Sequence, residues 1–254
     1  MELLNKNIII TGASTGIGNA LVKEFANYNC NLFLLARRIE LLEELKNSLK
    51  NKPANIYCFK NDVGDKTSVV EAYKQIIAIA KKIDIAILNS GVGYRMTIEE
   101  YDSTLALKTF NTNFMGLVYW IEQLLPGFMN QKSGIIAGVS SLADSRGFSG
   151  SGFYCASKAA ASIYLEGMRV ELNKYGIKVI TIKPGFVKTP MTDVNEFKMP
   201  FLMPADKAAR IIIKGLLKGK RIIQFPLPTV IGTKIIGLLP NFLYDFLSNK
   251  QNKN

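Results

Sequence analysis

Thr11-Gly12-Ala13-Ser14-Thr15-Gly16-Ile17-Gly18 decides the reading of this chain. It follows Asn7-Ile8-Ile9-Ile10, a short apolar run suited to a buried strand. Residues 17–28 come next, with apolar side chains at helical spacing. Glycines at such a handover let the backbone turn tightly and lie close to a pyrophosphate. The start of the following helix offers unpaired N–H groups and the positive end of its dipole. The strand before and the helix after separate this segment from an ordinary glycine turn.

The same alternation continues outward. Strands are expected over residues 32–36, 56–60, 83–88, 135–140, 178–183 and 221–225. Helices are expected over 40–50, 66–81, 103–129, 154–175 and 205–217. Strands alternating with helices imply βαβ units. The fold class is therefore α/β: a doubly wound, mainly parallel Rossmann-type sheet with helices on both faces, in three layers. With no linker or long repeat, one domain over residues 1–254 is expected. Residues 225–254 differ, being strongly apolar but interrupted by Pro226, Pro228 and Pro240, with Lys234, Asn241 and Asp245 intruding. No membrane-spanning helix is expected there. A lid, an oligomer contact and an interfacial helix pair are all compatible with it, and so is peripheral membrane contact aided by positive charge.

The chain has 254 residues, a formal net charge of +12 and no histidine. Its Lys and Arg residues are scattered rather than interleaved with aromatics, so no nucleic-acid partner is expected. The lack of histidine excludes Ser-His-Asp and Cys-His catalysis and removes the commonest zinc ligand. Cys30, Cys58 and Cys155 are too spread for a disulfide framework or a metal motif, so a reducing cytoplasm and no metal site are expected. The first residues show no signal-peptide pattern. Acid–base work near neutral pH falls to Tyr, Lys, Asp, Glu or Cys with a shifted pKa.

Tyr154-Cys155-Ala156-Ser157-Lys158 sets Tyr and Lys four residues apart, on one helix face. An ammonium beside a phenol favours the phenolate, so Lys158 is expected to lower the Tyr154 pKa. Ser140-Ser141 ends the fifth strand. The glycine spacing Gly-x-x-x-Gly-x-Gly, Asn89-Ser90-Gly91, Ser141 ahead of Tyr154-x-x-x-Lys158, and Pro184-Gly185 before Thr189 recur in order. In this the chain resembles the short-chain dehydrogenase/reductase family over roughly residues 5–189.

The resemblance implies a cofactor role for Gly12, Ser14, Thr15, Gly16, Ile17 and Gly18. It implies adenine contacts from Asp62 and Val63, although Asp62 also suits a turn or cap. Asn89 and Gly91 would lie by the cofactor ribose, and Pro184, Gly185, Val187 and Thr189 by the nicotinamide. The implied catalytic set is Asn113, Ser141, Tyr154 and Lys158, with Asn113 in a proton relay, although its amide could equally be a structural tie. Ser141 is preferred over Ser140 on spacing.

After the second strand an acidic residue would bind the adenine ribose and repel a 2′-phosphate. Ala36-Arg37-Arg38 stands there instead, and a guanidinium suits a phosphate. NADP(H) is thus expected over NAD(H). The expected function is carbonyl–alcohol interconversion, against the alternative of a catalytically silent NADP(H)-sensing or scaffold protein. The resemblance implies a substrate loop over residues 190–203, where Met191, Phe197, Met199, Phe201, Leu202 and Met203 suit a lipophilic small molecule and equally a hydrophobic lid over any substrate. The family commonly forms homodimers or homotetramers, which is the expected assembly.

Overall fold

β1 (Asn7–Thr11) leads through the glycine loop into α1 (Gly16–Phe25). β2 (Asn31–Ala36), α2 (Ile39–Ser48), β3 (Asn55–Lys60) and α3 (Lys66–Ala80) complete the first half. β4 (Ile85–Leu88) opens the second half, followed by α4 (Ser103–Phe110), a π-helical turn (Asn111–Met115) and α5 (Gly116–Gln131). Then come β5 (Gly134–Val139), a 3-10 turn (Leu142–Asp144), α6 (Gly152–Leu172) and β6 (Ile177–Pro184). The remainder is β7 (Val187–Lys188), α7 (Pro190–Asp193), β8 (Met203–Pro204), α8 (Ala205–Leu217), β9 (Ile222–Phe225), α9 (Leu227–Leu238) and α10 (Asn241–Gln251). This computed structural model describes residues 2–195 and 197–251, with the backbone alone at 249–251. Positions 1, 196 and 252–254 of the expected domain, its 190–203 loop and its 225–254 extension lie outside the described residues.

The main sheet has seven strands in the order β3-β2-β1-β4-β5-β6-β9, all parallel. Successive strand residues point to opposite faces, and helices cover both. Ile8, Ile10, Leu32 and Leu34 therefore pack against α1, α2 and α8, through residues such as Leu21, Phe25, Leu42 and Ile212. Ile9, Phe33 and Leu35 pack the other way, toward α3, α5 and α6, through Val69, Ile76, Trp120 and Leu165. The doubly wound three-layer expectation holds, and the main sheet is wholly parallel.

Strand order reverses between β1 and β4, which opens a crevice at their C-terminal ends. Thr11 closes its floor: Oγ1 accepts from the backbone N–H of Asn89 at 3.0 Å and of Ser90 at 3.2 Å. The expected helix over 103–129 is not continuous. The π-helical turn interrupts it, and Asn113 within that turn is buried because its amide is satisfied across the chain. The expected helix over 154–175 begins earlier, at Gly152, and its last turn, Asn173–Tyr175, is 3-10. A short parallel pair, β7 with β8, was not foreseen. It pins both ends of the 190–203 segment.

The apolar C-terminal segment forms two helices, α9 and α10. Among the described residues no helix is long and apolar enough to cross a membrane. Arg146 holds this pair down. Its guanidinium donates to the carbonyls of Ile236, Gly237 and Leu239 and to Asn241 Oδ1, and it lies over the Tyr244 ring.

Trp120 is fully buried, meets Tyr73 edge-on and donates from Nε1 to Asn61 Oδ1 at 3.3 Å. It thereby ties α5 to the end of β3. Trp120→Ala is expected to cost about 3–5 kcal/mol of stability, read by urea denaturation followed by circular dichroism. A loss below about 1 kcal/mol would mean this core region collapses around the gap.

Candidate active site

The glycine loop is built on close backbone approach. A Cβ on Gly18 would lie 2.1 Å from the Gly12 carbonyl oxygen, so no other residue fits there. Gly12 and Gly16 hold φ of +64° and +58°, the left-handed region that favours glycine. Asn89 Nδ2 donates to the carbonyls of Thr11 at 3.1 Å and Gly12 at 3.3 Å, fixing the loop to the end of β4. Thr15 caps α1 without a side-chain hydrogen bond, and the first turn contains no acid. The first N–H groups of α1 are thus available to an anion.

A cleft of about 480 Å³ runs from this loop across the switch point. Gly12, Ser14, Thr15, Gly16 and Ile17 form one wall. Gly18 lies behind that wall, where it permits the approach. At one end stand Ala36, Arg37 and Arg38. Both arginines are exposed, and among the described residues no acid pairs with either. Asp62 and Val63 border the same end. The Asp62 carboxylate closes a turn, accepting from Gly64 N–H at 3.0 Å, whereas the α3 cap is Asp65. Of the uses considered for Asp62, the turn is made, while capping belongs to Asp65.

Gly91, Tyr154, Lys158, Pro184, Gly185, Val187 and Thr189 line the opposite end, with Asn89 between. Ser140 and Ser141 both border it. Ser140 Oγ is committed elsewhere, donating to the Lys158 carbonyl at 2.8 Å. Ser141 Oγ accepts from Ala143 N–H at 3.1 Å and hydrogen-bonds the Tyr154 phenol. This leaves Ser141 as the serine joined to Tyr154.

Lys158 is buried, with Nζ donating to the Val139 carbonyl at 2.9 Å and lying 5.8 Å from the centroid of the Tyr154 ring. Burial pushes the Lys158 ammonium down to about 8. Tyr154 departs from the sequence expectation. Withdrawal of its phenol from water pushes it above its ordinary value. The Ser141 hydrogen bond opposes that rise, while Cys155 and Asp144 add to it. Burial of the phenol is the largest cause, and the Lys158 ammonium is turned toward the Val139 carbonyl.

Asn113 does not border the cleft. Its amide donates to the Val92 carbonyl at 2.9 Å and to Ser157 Oγ at 3.0 Å, and its Oδ1 accepts from Val92 N–H at 2.8 Å. The amide clamps the segment after β4 onto α6, the structural tie considered from sequence. Sequence reasoning missed Val92 and Thr112 on the cleft wall. Neither has a distinctive type or spacing, so only the fold reveals them. Met191 and Thr192, from the expected substrate loop, border the cleft beside Tyr154. Phe186 meets Phe197 edge-on, and the Arg95 guanidinium covers the Phe197 ring at 5.1 Å. The cleft thus joins an anion-binding loop and two cations at one end to a phenol, a hydroxyl and an ammonium at the other. That arrangement can hold a phosphorylated ligand and exchange a proton with an oxygen beside it.

The sequence matches the short chain dehydrogenase family over residues 6–199. It is 32% identical to an uncharacterized oxidoreductase of Myxococcus xanthus, over 96% of each chain. It is also 32% identical to a fatty acyl-CoA reductase of Acinetobacter baylyi, over 85% of this chain and 75% of that one. Among solved structures, a short chain dehydrogenase/reductase from Burkholderia phymatum in complex with NAD aligns with a TM-score of 0.85 at 20% identity, covering 92% of this chain and 93% of that one. A short-chain dehydrogenase from Sphingobium yanoikuyae in complex with NADPH aligns with a TM-score of 0.81 at 22% identity, covering 87% and 88%. These two likenesses concern the fold. Given the match over residues 6–199, the chain belongs to the short chain dehydrogenase family of oxidoreductases.

Proposed function

We propose that this chain is an NADP(H)-dependent oxidoreductase that interconverts a carbonyl and an alcohol on a lipophilic substrate. The observation that carries the reading is the meeting of Ser141, Tyr154 and Lys158 at one end of a cleft whose other end holds the glycine loop and Arg37. The cradle fits a nicotinamide dinucleotide, because Gly12 and Gly16 leave open backbone beside the uncapped start of α1. Ser14, Thr15 and the α1 N–H groups would hold the pyrophosphate. Arg37 and Arg38 would hold a 2′-phosphate, and Ala36 offers no carboxylate to repel it. Asp62 and Val63 would border the adenine, and Asn89 and Gly91 the ribose. Pro184, Gly185, Val187 and Thr189 would border the nicotinamide. When bound, the cofactor supplies or takes the hydride.

The chain's own residues manage the oxygen. In the reductive direction Ser141 and Tyr154 donate hydrogen bonds to the substrate oxygen, where negative charge develops. Tyr154 then gives up its proton, and Lys158 stabilises the phenolate left behind. In the oxidative direction Tyr154 accepts the proton instead. Asn113 is assigned to the proton relay through Lys158 and water, alongside its clamp on Val92. Phe197, Phe201 and Leu202, exposed in the same 190–203 segment whose Met191 borders the cleft, support a lipophilic substrate. So does the name of the Acinetobacter relative, a fatty acyl-CoA reductase.

Three parts of the reading lie outside the cleft. Exposed Leu107, Ile163 and Val170 on α4 and α6 support pairing into a homodimer or homotetramer. Exposed Leu227, Leu238 and Phe242 support peripheral membrane contact of α9 and α10. Three dispersed, free cysteines support a cytoplasmic location.

Tyr154→Phe is expected to lower kcat for aldehyde or ketone reduction by at least about 100-fold while NADPH still binds, followed by cofactor fluorescence. A variant with full turnover would sink the scheme.

Arg37→Ala is expected to weaken NADPH binding about tenfold or more and to leave NADH binding unchanged, in parallel fluorescence titrations. An equal loss for both cofactors would remove the 2′-phosphate role.

Reduction requires the charged Lys158, which loses its proton as pH rises through about 8. The kcat for reduction is therefore expected to fall on the alkaline side of about 8. A flat profile across that range in stopped-flow turnover would contradict this role for Lys158.

A further inference from the structure

Behind the reactive side chains lies a polar network that neither the motifs nor the proposed reaction uses. Asp144 closes the 3-10 turn that follows Ser141, and its side chain is only 7% exposed. Lys183, near the end of β6, brings Nζ within 2.6 Å of Asp144 Oδ2. The same carboxylate oxygen accepts from Ser162 Oγ on α6. Ser162 Oγ lies 2.8 Å from Ser140 Oγ, whose hydroxyl donates to the Lys158 carbonyl. The contacts thus run from β6 through the 3-10 turn to α6, and return to the end of β5.

Two consequences follow from this placement. The turn that Asp144 closes is the one whose Ala143 N–H donates to Ser141 Oγ, so its anchorage sets where that hydroxyl points. Asp144 is also a negative charge bearing on Tyr154. The other ionisable neighbours acting there are Lys158 and Cys155, both on the phenol's own helix, and Ser141 supplies a hydrogen bond. A buried carboxylate stripped of its cation would be costly and would leave this charge unbalanced.

We propose that Asp144 and Lys183 form a positioning pair of the active site. Lys183 neutralises Asp144, the acid of the turn that follows Ser141. Asp144 in turn fixes the turn carrying Ser141 and, through Ser162 and Ser140, the stretch of α6 carrying Tyr154 and Lys158. The proposal rests on the reading of Tyr154 as the proton-transfer group. A pair that only braced the fold would respond alike to loss of either partner. A pair that balances charge at Tyr154 responds with opposite signs.

The test compares Lys183→Met, Asp144→Asn, the double variant and Lys183→Arg in the full chain. Tyr154 ionisation is read by ultraviolet difference titration against Tyr154→Phe, and kcat and KM are read in NADPH-linked aldehyde reduction. Relative to the unsubstituted protein, Tyr154 should titrate at higher pH in Lys183→Met, at lower pH in Asp144→Asn, and near its original position in the double variant. Lys183→Met should lower kcat about tenfold with KM within about twofold, and Lys183→Arg should recover most of the rate. Both single variants shifting Tyr154 the same way, or neither shifting it, would overturn the proposal. Absence of turnover in the unsubstituted protein would sink the oxidoreductase reading, while the titration would still decide the role of the pair. If Lys183→Met does not fold, Asp144→Asn and the double variant, which strand no buried carboxylate, carry the same comparison.

Discussion

The site depends on how closely two stretches of backbone approach at the head of α1. The Gly12 carbonyl sits where a Gly18 side chain would begin, at 2.1 Å from that Cβ position. This contact turns the chain from β1 into α1 within a few residues and aims the helix start along the cleft. Asn89 and Thr11 then lock the loop to β4, across the point where strand order reverses. Switch-point geometry makes a crevice in any doubly wound sheet. Here the glycines leave bare backbone along one wall, and the start of α1, with no side-chain cap, leaves N–H groups unpaired beside it.

The other end of the cleft is governed by burial against charge. In the proposed reaction, a chain without histidine draws its proton donor from a phenol that ordinarily titrates at about 10. Burial acts on Tyr154 and Lys158 in opposite senses, raising the phenol and lowering the ammonium. The two groups, nearly matched in proton affinity in water, are thereby driven apart, with the phenol holding its proton more tightly than the ammonium. Ser141 opposes the rise at Tyr154 through its hydrogen bond, and Asp144 adds to it. The balance at the phenol is therefore set by three elements: α6, the end of β5 and the 3-10 turn.

The outer parts of the molecule attach to this same region. Arg146 lies two residues beyond Asp144 and gathers the carbonyls at the end of α9, while Tyr244 OH donates to the Gly147 carbonyl. The C-terminal helices are thus fastened to the loop between the 3-10 turn and α6. On the other flank β7 and β8 pin the ends of residues 190–203, and Arg95 lies over Phe197. Both apolar flanks consequently rest on polar anchors close to the cleft.

Much of this was legible in sequence. Apolar runs such as Ile8–Ile10, with helical periodicity between them, fixed the alternating α/β order, because strands covered on both faces need no polar side. The glycine spacing and the Tyr154–Lys158 interval located the cleft, since both are local relations along one loop or one helix. What sequence could not decide were relations between distant segments. The break at Asn111–Met115, the clamp of Asn113 on Val92 and the β7–β8 pair all depend on partners brought together by folding. The direction of the Tyr154 shift belongs with them. Spacing supplies the ammonium, but desolvation depends on how much protein surrounds the phenol, and that is known only once α6 is packed against β5 and the 3-10 turn.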